Sequence, residues 1–428
     1  MEDQVRAGSR RAAKAPSIAR HGRLKTRNPW RSLAKLTASV LAVALVSGTA
    51  VAAYAAWDLV QTAQPTVKLE SEKVLEGVPD IGAIDGGVNL LLIGSDSRQG
   101  QGEGFGDPDE ETAVLNDVTM LLHISQDHTH VEVVSFPRDM LISVPGTCAD
   151  PEDPSDTLSA LSAVKMNTVL SYGGMDCVVQ TVQAELGITI PFAGIVQFMG
   201  VAGLSEAVGG VEVCVAEKIE DEYTGIFLEP GTHTLAGIDA LQFLRTRHGV
   251  GDGSDLGRIS NQQVFLSSLA RKLQADGTLN DPVTLFKIAK AALANMQLSA
   301  GLANPTMMIS IAKAMKDVDL SKIAFIQYPT GYVDGGGAVA PDASAEIVKT
   351  ALQTDVPVVF DAAANATDSG SAADPNAAPA PETPVEEAPA TTDPAAPAPT
   401  TTEALPSNVS GQTAAETRCS AGRSLDDQ

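Results

Sequence analysis

Val88–Asp96 reads VNLLLIGSD, Asn116–Leu122 reads NDVTMLL, and His130–Asp139 reads HVEVVSFPRD. Each is a short apolar run closed by polar residues, the pattern of a buried strand rather than of an amphipathic helix. Their ends carry charge. Asp96 and Arg98 follow the first run, Asp117 begins the second, and Arg138 and Asp139 follow the third, with Pro137 setting the turn. Strand ends and the loops beyond them are where open α/β sheets place their ligand groups. A single Asp or Arg at a strand end is more often a cap or a surface ion pair. Recurrence on three successive strands is the informative part.

Working outward, residues 164–187 read as helical segments interrupted at Gly173–Gly174. GIVQFMGVAGLSEAVGG (194–210) is a strand entering a helix that stops at its paired glycines, and VEVCVAE (211–217) is another strand. GTHTLAGIDALQFLRTRH (231–248) reads as a turn, a short helix and a strand. Ser260–Leu273 has helical amphipathic spacing, 281–317 is apolar and helix-like, and KIAFIQYPT (322–330) holds a late strand. Strands alternating with helices predict one α/β (α+β) domain with a central sheet over 87–358.

The flanking segments differ in kind. Ten of the 29 Lys and Arg fall within residues 1–35, with only two acidic residues there, whereas the whole chain has a net charge of −24. The first segment reads as a basic disordered tail. An acidic remainder is a poor general nucleic-acid binder, so an anionic ligand must be held by a local cluster of Arg or Lys. Leu36–Ala56 contains no charged residue and is long enough to cross a bilayer as a helix. A cleaved signal peptide competes with an uncleaved anchor over 36–57; the long basic region before it favours the anchor, with residues after it outside the cell. Residues 58–86 read as a polar stalk. From 359 onward the chain is rich in Ala, Pro, Thr and Asp with few large apolar residues, the composition of a disordered tail.

Arg245 and Arg247 stand two apart in QFLRTRH, which on a strand places two guanidiniums on one face. Like charges so close need an anion or carboxylates between them, and the guanidinium fork matches phosphate oxygens. Asp255, Arg258 and Gln262 follow, bringing a third Arg to the start of a helix. Lys165 and Asn167 could reach a phosphate or cap a helix. A pyrophosphate would use several Arg and bring Mg²⁺, for which Asp96 and Asp117 are ligand candidates. There is no GxxxxGK[ST], no GxSxG elbow and no HExxH. His128 and His130 flank a turn, where metal binding is the minority reading; His248 stands beside the Arg pair. The four cysteines contain no CxxC pair, and disulfides are permitted outside the cell. Cys148 with Cys177, stapling a polar insertion, is the preferred pairing. Cys214 lies in an apolar run and could simply be buried, and Cys419 lies in the tail, where it could be free or pair between chains.

NLLLIGSDSR, NDVTMLL, VVSFPRDMLISVPG, KMNTVLSYGG, GGVEV, LEPGTHTLAGIDALQFLRTRH and DLGRISNQQVFL, in this order over roughly 88–275, resemble the LytR–CpsA–Psr family. The resemblance implies a mixed sheet flanked by helices with an apolar tunnel for a lipid. It implies a membrane-anchored enzyme that moves a glycopolymer from a polyprenyl-pyrophosphate carrier to a peptidoglycan acceptor, with Mg²⁺ on the pyrophosphate and no specific nucleic acid. Carried across by motif, Asp96 and Asp117 would hold the metal. Arg98, Arg138, Arg245, Arg247 and Arg258 would grip phosphates. Asp139, Lys165, Asn167, Asp255 and Gln262 would complete the site, and Asp96 or Asp139 could accept a proton. Some relatives carry a Cys where His233 stands, paired to one like Cys214; that pairing is closed here. A non-catalytic lipid-binding module, a pyrophosphatase and a membrane-bound attenuator are the rivals. The last is disfavoured, since about 35 cytoplasmic residues are too few for a helix-turn-helix domain.

Overall fold

A computed structural model describes residues 29–78, 81, 84, 86–99, 101, 109–110, 114–151, 153, 155–275, 278, 281–333, 336–360, 371–373 and 402–428. The chain divides into two compact units, Met1–Asp58 and Leu59–Gln428. The first holds most of helix α1 (Pro29–Thr62), within which Trp30–Leu59 is long and apolar enough to cross a membrane. The expected basic tail, apart from its last residues, lies outside the described residues.

The second unit is built on a seven-stranded mixed sheet. Strands β1 (Val88–Ser95), β2 (Asn116–Ile124) and β3 (Val131–Phe136) form an antiparallel meander at its centre. After the hairpin strands β4 (Leu141–Val144) and β5 (Leu161–Lys165), strand β6 (Phe192–Val196) pairs parallel to β1, and Ile323–Gln327 pairs parallel to β3. Met296–Leu298 and Gly411–Thr413 add antiparallel edges. The continuous apolar runs follow from this placement. Leu91 and Ile93 pack into one core with Val178, Val182 and Leu186 of helix α2 (Val169–Leu186). Leu90 and Leu92, of opposite parity, pack into the other with Leu293 and Ile311. Alternate side chains face opposite sides of a sheet covered on both. Helix α2 is kinked at Gly173–Gly174, where the paired glycines predicted a break.

Strand β7 (Val211–Val215) belongs to a smaller four-stranded sheet, after helix α3 (Phe198–Ala207) and before helices α4 (Ile238–Arg245) and α5 (Asp255–Ala275). Helices α6 (Pro282–Asn295), α7 (Pro305–Lys316) and α8 (Ala345–Thr354) complete the domain.

Three expectations are corrected. QFLRTRH is not a strand: Arg245 is the last residue of α4, and Thr246 turns the chain out of it. The segment 58–86 is not a free stalk. Leu69 is buried in the core, Ser71 Oγ donates to the Ile190 carbonyl at 2.6 Å, and Glu72 Oε1 accepts from Gly301 N at 2.6 Å. The tail is not structureless throughout, because residues 402–428 are part of the fold. Gly411–Thr413 extends the central sheet, and Arg418–Ser420 pairs parallel to β7. Polar side chains of α5 are buried beneath this segment: Gln412 Nε2 donates to the Gln263 carbonyl at 3.0 Å and to Ser267 Oγ. Ser420 Oγ donates to Asn261 Oδ1. Backbone pairing and amide contacts hold it, and these leave no apolar period in the sequence.

Cys148–Cys177 is a disulfide, as the spacing suggested, and Cys214 pairs with Cys419 across 205 residues. Replacing Cys148 and Cys177 together by Ala is expected to cost about 4 kcal/mol, the chain entropy of a loop of 29 residues. Denaturant unfolding measures this; a loss below about 1 kcal/mol would mean that the bridge does not constrain the unfolded chain.

Candidate functional site

A cavity of about 310 Å³ opens at the end of the central sheet where β1 finishes, β2 begins and β3 has just ended. Its walls are of two kinds. Leu92, Val118, Val196, Phe198, Val201, Leu241, Leu244 and Leu266 make an apolar channel, and Asp96, Asp117, Arg138, Arg245, Arg247, Arg258 and Gln262 crowd its other part. Gly94 on β1 is needed here, since a Cβ on it would fall 2.8 Å from Val118 Cβ.

The polar part is held by its own pairings. Asp96 turns the chain off β1 by bonding in both directions with Leu115: its N–H donates to the Leu115 carbonyl at 3.1 Å, and its Oδ1 accepts from Leu115 N at 2.7 Å. Burial pushes the Asp96 carboxyl up from the ordinary range, against the Leu115 bond, and the charge on Asp117 adds to the rise. Arg138 Nη1 donates to Asp117 Oδ1, and Arg138 N donates to Asp255 Oδ2 at 3.0 Å. Arg258, nearly buried, pairs with Asp255 at 2.6 Å and donates to the Asp117 carbonyl. Arg245 lies over the Phe198 ring, 4.1 Å from its centroid. Burial pulls its guanidinium down from its usual value; Asp117 opposes this, and Arg98 and Arg258 reinforce it. An Arg remains charged regardless, so this measures how poorly solvated the cation is.

Two buried guanidinium nitrogens, Arg138 Nε and Arg258 Nε, have no hydrogen-bond partner among the described residues. Arg138 Nε comes no nearer than 3.9 Å to its ion-pair partner, Asp139 Oδ2. Orphaned buried charged donors are costly, and the residues that carry them line a cavity with two further arginines, where the guanidinium fork suits phosphate oxygens.

The structure separates the remaining expected residues. Asp139 and Lys165 pair at 2.7 Å and line a second cavity with Arg138, Arg247, Asp255 and Tyr332. Arg138 and Arg247 therefore stand in the walls of both cavities. Asn167 is buried behind the turn, its N–H donating to the Arg138 carbonyl at 3.0 Å. Arg98 does not line either cavity but lies close enough to act on Arg245. Gln262 Nε2 donates to the Leu244 carbonyl at 3.0 Å, bracing the end of α4.

Sequence reasoning missed Asp221. This buried carboxylate accepts from Thr246 Oγ1 at 2.7 Å and from the backbone N–H of Arg247, Tyr223 and Thr224. These bonds hold its pKa low against its burial, and they set the bend that turns Arg247 into the site. An acidic residue in KIEDEYTG offered no signal of this role, because the partners that link it to the site, Thr246 and Arg247, lie 25 and 26 residues away. Phe198 was not singled out. Tyr223, stacked on His248 at 4.5 Å between ring centroids, was not singled out either.

A family model, LytR_cpsA_psr family, matches residues 53–354. The cell wall biosynthesis protein LcpA of Corynebacterium glutamicum is 29% identical, over 61% of this chain and 53% of its own length. The chain thus spans about half of that relative. TagT of Bacillus subtilis, named as a polyisoprenyl-teichoic acid–peptidoglycan teichoic acid transferase, is 24% identical over 73% of this chain and 92% of its own. A crystal structure of a Streptococcus agalactiae protein superposes with a TM-score of 0.50 at 22% identity, covering 63% of this chain and 87% of that one.

Proposed function

The chain belongs to the LytR_cpsA_psr family, and from that premise we propose that it transfers a glycopolymer from a polyprenyl-pyrophosphate carrier onto peptidoglycan. One observation carries the reading: apolar side chains and four arginines line one and the same cavity. A long isoprenoid chain needs the first environment and a pyrophosphate the second. The names of LcpA and TagT, cell wall biosynthesis and transfer to peptidoglycan, support the same class of substrate. Helix α1 would keep the domain at the bilayer that holds the carrier.

In this reading the isoprenoid lies along Leu92, Val201, Leu244 and Leu266, and the pyrophosphate faces Arg138, Arg245, Arg247 and Arg258. The second cavity, walled by Asp139, Lys165 and Tyr332, takes the sugar side. A hydroxyl of the wall glycan attacks the phosphorus next to the transferred glycan. The new P–O bond forms as the bond to the bridging oxygen breaks, and polyprenyl phosphate leaves with the electron pair. Asp139 faces the acceptor side and would take the hydroxyl proton. The guanidiniums stabilise charge growing on the equatorial and bridging oxygens, and being held in advance they do so without reorganising.

Asp96 and Asp117 suit Mg²⁺, which uses one or two carboxylates with phosphate oxygens and keeps its own waters. Burial is the main cause of the raised Asp96 carboxyl and the charge on Asp117 adds to it; a dication held between the two would offset both. Bound there, it would neutralise pyrophosphate charge.

The test uses the full chain in detergent with MgCl₂, a polyprenyl-pyrophosphate glycan and peptidoglycan oligomers. Expected is an acceptor carrying the glycan through a phosphodiester, with release of polyprenyl phosphate, both followed by mass spectrometry. EDTA should lower the rate roughly 10²-fold, and added Mg²⁺ should restore it, since a metal supplies several kcal/mol of charge stabilisation. Carrier binding without turnover would replace the proposal by a binding module. Hydrolysis without glycan on the acceptor would replace it by a pyrophosphatase.

A further inference from the structure

At the opposite end of the central sheet, about 20 Å along β1 from Asp96 at about 3.3 Å per residue, lies a second group of chemistry-bearing side chains that the proposed reaction does not use. His123 is the last residue but one of β2, His130 directly precedes β3, Glu132 is the second residue of β3, and Asp355 follows α8. His123, His130 and Glu132 are buried, and Asp355 is part-exposed.

The hydrogen bonds determine which atoms face one another. Asn89 Nδ2 donates to the Thr189 carbonyl at 2.8 Å, so Asn89 Oδ1 is the acceptor for His123 Nδ1, 2.8 Å away. The proton of His123 is therefore on Nδ1. In the neutral ring, Nε2 is a lone pair, yet it lies 3.1 Å from Asp355 Oδ1, another acceptor. His130 repeats the arrangement. Thr129 Oγ1 gives its proton to Asp127 at 2.7 Å, so it can only accept from His130 Nδ1 at 3.3 Å. His130 Nε2 is left with no hydrogen-bond partner among the described residues, as is Glu132 Oε2. These two atoms lie 3.8 Å apart, and His130 Nε2 is 3.9 Å from Asp355 Oδ1. Two imidazole nitrogens and two carboxyl oxygens thus converge, with one hydrogen bond, His123 Nε2 to Asp355 Oδ1, among them; a metal ion bound here would displace the protons they otherwise hold.

We propose that His123 Nε2, His130 Nε2, Asp355 Oδ1 and Glu132 Oε2 form a structural site for Zn²⁺. The Nε2 atoms and the Asp355 oxygen already lie within 4.8 Å of one another. Ligand atoms about 2.0 Å from a tetrahedral centre stand about 3.3 Å apart, so small side-chain movements close these three around an ion, and Glu132 Oε2, 3.8 Å from His130 Nε2, would turn in as the fourth. Two imidazoles select zinc over magnesium or calcium. Four protein ligands leave no open position, which makes the site structural rather than catalytic. Each ligand also has an outer partner. Asn89 serves His123, Thr129 serves His130, Gln126 N holds Asp355 Oδ2 at 3.1 Å, and Val358 N–H binds the Glu132 carboxyl. Such partners orient metal ligands and fix their tautomers. Asp355 has φ +53°, a left-handed backbone uncommon outside glycine, and this conformation places its carboxylate against the two rings. The bound ion would tie α8 to the β2–β3 hairpin.

The experiment takes the full chain, without an affinity tag, in detergent. The protein is stripped with EDTA, titrated with ZnCl₂ or CoCl₂, and passed over a desalting column. Expected are one Zn²⁺ retained per chain, a higher unfolding midpoint, and the strong visible absorption of tetrahedral Co²⁺. His130→Gln and Asp355→Asn should each weaken binding at least about 10²-fold, and Asn89→Ala by about 10- to 100-fold. Asp117→Asn should keep the ion, which separates this site from the carboxylates proposed for Mg²⁺. Less than stoichiometric retention by the wild type overturns the proposal, as does zinc held equally by both ligand variants. Should those variants misfold, the wild-type stoichiometry and Co²⁺ spectrum decide it alone.

Discussion

Arg138→Ala is expected to lower glycan transfer by about 10³-fold or more, with the unfolding midpoint within a few degrees of wild type. Removing a preorganised donor from developing oxyanion charge costs about 10²–10³, and removing an Arg that faces a phosphoryl group 10³–10⁵. Arg138 should fall in the upper range because it stands in the walls of both cavities. Stability should change little. Its side chain and that of its partner Asp117 are each about a quarter exposed (24% and 27%), so water can reach Asp117 once the guanidinium is gone. The anchoring bond to Asp255 comes from the Arg138 backbone and survives. Arg138→Lys keeps the charge but loses the planar fork, so its defect should be intermediate. The fall should appear in kcat more than in KM if the interaction strengthens in the transition state. Arg245→Ala should behave alike, whereas Arg258→Ala is a poor probe, since it would strand buried Asp255. Transfer within about tenfold of wild type in Arg138→Ala would remove the guanidinium cluster from the mechanism.

Ending the chain after Phe360 is expected to cost on the order of 5 kcal/mol of stability, most of what a domain of this kind possesses. The truncation removes the edge strand Gly411–Thr413 and the Cys214–Cys419 bridge. It also strips Arg271 of its two carbonyl acceptors, Ala414 at 2.9 Å and Glu416 at 2.7 Å, leaving its bond to Ser268 Oγ at 2.7 Å. Function should fall with it. Gly251 N donates to the Ala421 carbonyl at 2.9 Å, and Arg423 N donates to the Gly249 carbonyl at 2.8 Å. These bonds hold the loop whose Gly253 carbonyl accepts from Arg247 Nε at 3.3 Å. Freed, Arg247 should lose its aim and turnover should drop about tenfold, for a displacement of about 1 Å costs more than that in positioned catalysis. Replacing Cys214 and Cys419 by Ala in the full chain separates the covalent from the non-covalent part and should give a smaller loss. Denaturant unfolding of the three proteins measures it; a truncated chain as stable as the whole would mean that residues 402–428 only rest on the surface.

The central meander, its charged ends and the helices around it were legible because each is written locally. Leu90–Ile93 is apolar at consecutive positions since both faces of the sheet are covered, and Gly173–Gly174 marks a kink that any helix would show there. Asp96, Asp117, Arg138, Arg245, Arg247 and Arg258 could be named from their motifs, and the structure brings these six to one cavity. The reason offered for the Arg pair was wrong: alternation along a strand does not bring Arg245 and Arg247 together, but the end of α4 followed by a bend held on Asp221 does.

What the sequence alone determined is the fold class and the identity of the charged residues, because hydrophobic period and strand-end chemistry are properties of neighbours in the chain. What only the tertiary structure decided is which partners those residues have. Asp221, the Cys214–Cys419 bridge, the docking of 402–428 and the meeting of His123, His130, Glu132 and Asp355 all join residues remote in sequence. Such pairings are made by closure of the chain in space, and closure leaves no period in the residues that it brings together.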